Sequence, residues 1–115
     1  MTWPSCEHSL ELVFEQADEA AARSSTPCCS AHLLWALLII RNPGQRVFAD
    51  RGLEPKAIVE QLAAMPVPEA PSIMNQIRDR SLQIAKSCGS SEVGALHLVI
   101  VLSTMKESAA YQIIR

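Results

Sequence analysis

Ala31–Ile40 reads AHLLWALLII, and Leu96–Met105 reads LHLVIVLSTM. Aligning His32 with His97 sets an offset of 65 residues, and the same ungapped alignment pairs Ala20 with Ala85, Ser25 with Ser90, Leu33 with Leu98 and Leu37 with Leu102. Taken alone, the apolar run Leu33–Ile40 is compatible with a buried helix, a buried strand or part of a membrane span. A bilayer core needs about 20 apolar residues, and Arg41-Asn42-Pro43 ends this run well short of that. The β-branched Val99-Ile100-Val101 favours a strand on propensity, whereas Leu, Ala and Trp at the matching places in the first stretch suit a helix. Read together, the two stretches predict two helices buried on most sides, with packing overriding propensity in the second.

Working outward, apolar residues recur from about Cys6 to Arg23 as Leu10, Val13, Phe14, Ala17, Ala20 and Ala21, the spacing of one helical face. Ser24-Ser25-Thr26-Pro27 breaks this first helix, and Ser30 is placed to cap the next. Asn42-Pro43-Gly44 turns the chain, Gln45–Asp50 suits a short third helix, and Gly52 suits the left-handed stop after it. Pro55 opens a fourth helix with Ile58, Val59 and Leu62 on its face. Pro66, Pro68 and Pro71 make 65–71 a semi-rigid connector. Ser72–Ser87, with Ile73, Ile77, Leu82, Ile84 and Ala85, then repeats the first helix, Gly89 stops it, Ala95–Ser103 repeats the buried one, and Ser108–Ile114 resembles the short third. All seven prolines fall at helix edges. The expected fold is one all-α domain of two pseudo-symmetric helical repeats, about 6–64 and 72–115, packed as one bundle.

Composition agrees. A chain of 115 residues with 49% hydrophobic but only 4% aromatic content builds an aliphatic core, which packed helices supply better than a sheet. A net charge of −2 offers no field for nucleic acid. Glu7, Glu11, Glu15, Asp18 and Glu19 precede the first basic residue, Arg23, and read as a solvated acidic face near a helix N-terminus. Cys6, Cys28, Cys29 and Cys88 contain no CxxC pair, so a metal or redox sensor built on them with His8 is the alternative reading rather than the leading one. No metal site and no cofactor are expected. No secretory signal opens the chain, and a cytoplasmic location with reduced thiols is the expectation.

Helix, loop, HLLWALL, a short helix, GLEPKAIVEQL, and then a second round with LHLVIVL and SAAYQIIR: this pattern resembles the double Clp N-terminal repeat carried at the front of Clp-family AAA+ unfoldases and by a few stand-alone relatives. The resemblance covers about Cys6 to Arg115 and rests on apolar positions plus one histidine per repeat. It implies a non-catalytic headpiece that receives protein substrates or adaptor proteins for an ATPase ring. The absence of a GxxxxGK[ST] phosphate loop agrees with that.

Some members resembling this pattern carry Thr-Glu before each histidine and hold phosphorylated arginine there. The corresponding pairs here are Ser30-Ala31 and Ala95-Leu96, which lack carboxylates and suit an apolar peptide better. Those residues are the expected partner-binding positions. His32 and His97, at helix starts, are expected to be structural. By the same offset the second repeat lacks a counterpart of Pro55–Leu62, so an apolar face beside Val99–Leu102 is expected to be covered by self-association, a partner or further chain.

Overall fold

The computed structural model describes residues 8–42, 44–64, 69–70, 72–90 and 92–114. Every element among them is an α-helix: α1 His8–Arg23, α2 Ser30–Ile39, α3 Gln45–Ala49, α4 Pro55–Ala64, α5 Ser72–Ser87, α6 Ala95–Thr104 and α7 Ala109–Ile114. Of the proline connector only Glu69 and Ala70 are described; Cys6, Glu7, Pro43 and residues 65–68 and 71 lie outside the described residues. None of these helices is long and apolar enough to cross a membrane.

The core is aliphatic, and α2 lies at its centre. Ala31, Leu33, Leu34, Ala36 and Leu37 have no exposed surface, because α1, α3, α4 and α7 all pack on α2. An all-round apolar helix can be stable only when surrounded in this way. Helix α6 is packed by α5 and α7, and its Val99, Val101 and Leu102 are buried in helical conformation despite their branched side chains. Tertiary packing has overridden propensity there, as expected. Leu96 and Ile100, one turn apart on α6, remain 48% and 44% exposed.

The amphipathic helices obey a register that the ungapped alignment misses by one residue. Buried Leu10, Val13, Ala17 and Ala21 of α1 are matched in α5 by buried Met74, Ile77, Ser81 and Ala85, each 64 positions further on. Ala85 therefore corresponds to Ala21, not to Ala20. The helix ends agree: Ser25 (φ 55°) follows α1 and Gly89 (φ 71°) follows α5, each in the left-handed conformation. In both, the next amide reaches back across the last turn, Thr26 to the Ala21 carbonyl (3.0 Å) and Ser90 to the Ala85 carbonyl (2.9 Å). Helices α2 and α6 start 65 residues apart, so the loop before α6 holds one more residue.

The C-terminal end of α2 leaves its last carbonyls without helical partners. Asn42 Nδ2 donates to the carbonyls of Leu37 (3.0 Å) and Ile40 (2.6 Å), and Gln45 Nε2 donates to that of Leu38 (2.8 Å). Asn42 Oδ1 accepts the Gly44 N–H at 2.8 Å, which bends the chain into α3. Gly44 is held against α6. A methyl group there would lie 2.6 Å from Val99 Cγ2 and 3.4 Å from the Ala95 carbonyl oxygen. Gly44→Ala should therefore lose about 1–3 kcal/mol in urea unfolding, and Val99→Ala in the same chain should recover part of that loss. A neutral Gly44→Ala would show that α3 and α6 do not approach this closely.

Candidate functional site

The start of α2 is where the chain concentrates its polar chemistry. Ser30 was expected to cap this helix. It is instead the first helical residue, fully buried, and the cap position belongs to Cys29. The reason lies in the connector. Glu69 accepts the Ser30 N–H at 2.9 Å, the Ser30 hydroxyl, and the Ala109 N–H of α7 at 2.7 Å. The Ser30 oxygen in turn accepts the Ala110 N–H at 2.8 Å. One carboxylate thus serves the N-termini of both α2 and α7, where unpaired amides and the helix dipole favour a negative charge.

With Ser30 so engaged, α2 is closed by the ring of His32. Its Nδ1 accepts the Cys29 N–H at 3.0 Å, the place a Glu or Gln takes in a capping box. His97 does the same in α6, its Nδ1 accepting the Gly94 N–H at 2.8 Å. The Cys29 sulfur lies 3.4 Å from the same His32 nitrogen, which invites a thiol–imidazole reading. Helix α6 carries the identical closure with glycine in the cysteine's place, so the ring's function is to end the helix. Burial lowers the His32 pKa, opposed by the nearby Glu69 charge. Burial pushes the Cys28 thiol up to about 12, helped by the Asp18 carboxylate beside it. Burial also raises Cys29. Both are protonated at neutral pH, the form that neither attacks nor ligates. Among the described residues no three His, Cys, Asp or Glu side chains converge to hold a metal, and Cys6 lies outside those residues.

A groove of about 530 Å3 opens beside this cap. Asp18, Cys28, Cys29 and His32 line it from α1, its following loop and α2; Val59, Leu62 and Ala63 from α4; Glu69, Met74 and Arg78 from the connector and α5. The guanidinium carbon of Arg78 stands 4.9 Å from the centre of the Phe14 ring, and its Nε is buried without a hydrogen-bond partner. Of the four residues expected to meet a partner, Ser30, Ala31 and Ala95 are wholly buried and only Leu96 is on the surface. Ser30 is covered by the start of α7, Ala31 lies beneath α4, and the first turn of α6 is approached by Gly44.

Sequence reasoning missed Glu69 and Arg78. Glu69 is the only ionisable residue in the proline-rich stretch 65–71, and Arg78 falls on the stripe of α5 otherwise formed by Met74, Ile77, Ser81 and Ala85. Both anomalies were legible. Comparison with family models, curated proteins and solved structures returns no match to this chain.

Glu69→Ala would strand two backbone amides and the Ser30 hydroxyl, so it should lower stability by about 1–3 kcal/mol in urea unfolding; an unchanged midpoint would show that water replaces the carboxylate. The His32 pKa also makes a signed prediction. Because the folded protein holds this imidazole neutral, its contribution is fully present above pH 6.5, the ordinary imidazole value, and is lost as pH falls from there through the lowered folded value. Thermal midpoints recorded between about pH 7.5 and 5 should fall for the parent chain and fall less steeply for His32→Gln. Equal slopes would place the titration elsewhere.

Proposed function

We propose that this chain is a non-catalytic protein-docking module of the Clp unfoldase kind, built from two copies of one helical unit. The observation that carries the reading is the recurrence of the histidine-closed helix: α2 and α6 have ten residues each, begin 65 residues apart, and bond the ring nitrogen to the amide three residues before it. A 16-residue helix precedes each, with the same buried stripe and the same left-handed stop. A short helix follows each, and the start of each short helix lies against the opposite unit's buried helix, α7 on α2 and α3 on α6. This reciprocal exchange is what a pseudo-two-fold arrangement produces.

Docking also suits the surface. Leu96 and Ile100 form an exposed apolar pair on α6, while on α2 the corresponding Ala31 and Trp35 lie beneath α4. The partners we assign are protein substrates or adaptors presented to an ATPase ring, in the reducing cytoplasm that the free Cys28, Cys29 and Cys88 suit. Phosphorylated arginine is not the expected ligand, because the one carboxylate at the α2 start, Glu69, is already engaged by its own chain.

The test is to place the whole chain in front of a Clp ATPase ring lacking its own N-terminal domain and to follow casein degradation. We expect degradation to rise above that of the bare ring, and Leu96→Glu with Ile100→Glu to reduce the gain severalfold. A folded graft that leaves casein turnover at the bare-ring rate would overturn the docking function.

A further inference from the structure

Arg78 is an unusual residue for its position. It lies on the stripe of α5 that elsewhere points into the core, and its guanidinium is supported on one side by the Phe14 ring at 4.9 Å. Its Nε is buried and lacks an acceptor. The neighbouring acids do not supply one. The Glu69 carboxylate is taken by Ser30 and by the Ala109 amide, and Asp18 sits beside the Cys28 thiol. The ion pairs among the described residues join His8 to Glu11 and Arg80 to Glu107, leaving Arg78 out. Arg78 lines a groove whose other walls include Met74, Val59 and Leu62 alongside Asp18 and Glu69, and a cation there without an ion pair among the described residues calls for an acceptor attached to something aliphatic.

We propose that this groove binds the C-terminal end of an aliphatic peptide, its α-carboxylate held by Arg78 and its last side chains set against Met74, Val59 and Leu62. A carboxylate is the acceptor that a guanidinium holds best, through two parallel N–H bonds. The groove volume of about 530 Å3 is that of a small-ligand pocket. Such a space takes a few residues of a chain end. The Phe14 ring, 4.9 Å from the guanidinium carbon, supports the cation before the ligand arrives. This proposal rests on the docking reading and specifies what one of its sites recognises.

The experiment is fluorescence anisotropy with the full chain and a fluorescein-labelled hexapeptide ending Val-Ile-Leu, prepared as the free acid and as the C-terminal amide. The acid should bind, and amidation should weaken it by about tenfold or more, the scale of one lost charge-assisted contact. Arg78→Gln should weaken the acid by a similar factor while leaving the amide unchanged, and Arg78→Lys should restore part of the loss. Circular dichroism of each variant confirms the fold, and the acid–amide comparison in the parent chain stands even if a variant unfolds. Equal affinity for acid and amide, or binding of neither, overturns the proposal. If the acid fails while the grafted chain still delivers casein, only this site is lost. If the acid binds through Arg78 while the graft delivers nothing, the site stands and the Clp role falls.

Discussion

The molecule depends on how it satisfies the amides at the buried start of α2. Two helix N-termini, those of α2 and α7, converge on the half-buried Glu69, and each brings unpaired N–H groups and the positive end of a dipole. Glu69 answers both, bonding the amides of Ser30 and Ala109, while the Ser30 hydroxyl links the carboxylate to the Ala110 amide. Residues distant in sequence, at 30, 69 and 109–110, are thereby tied at one point, and the docking of α7 on α2 follows from it.

The histidines close the helix starts beside that clasp and independently of it. At α2 the serine hydroxyl is engaged between elements, and the neutral imidazole of His32 accepts the Cys29 amide. Helix α6 has no serine and no clasp at its start, yet His97 closes it in the same way. The histidine closure is therefore common to α2 and α6, and among the described residues the serine–glutamate clasp is found at α2 alone. The adjacent thiols share in the consequence: partial burial and the Asp18 charge keep Cys28 protonated, and burial does the same for Cys29, so they contribute apolar surface and weak hydrogen bonds rather than reactivity.

The two sides differ in exposure as well. Helix α4 covers α2 and, with α5 and the connector, bounds the groove in which Arg78 stands against Phe14. Among the described residues α6 has no such cover, and Leu96 and Ile100 are exposed. The small polar-ended groove and this exposed aliphatic pair are chemically distinct surfaces.

Local sequence decided the helices other than α6, whose β-branched run needed tertiary packing as well. Apolar periodicity, prolines confined to helix edges, and Gly52 and Gly89 at left-handed stops locate the elements to within a few residues, because these signals act over a single turn. The all-α character follows from them. Only the tertiary structure decided which polar groups meet. Ser30 looks like a cap until the Glu69 carboxylate and α7 draw its hydroxyl elsewhere. Ala31 and Ala95 look available until α4 and the approach of Gly44 bury them. Glu69 and Arg78 stand out in sequence as charges in apolar company, but their partners come from separate helices. Hydrogen bonds between elements depend on distances across the bundle, which no local pattern encodes.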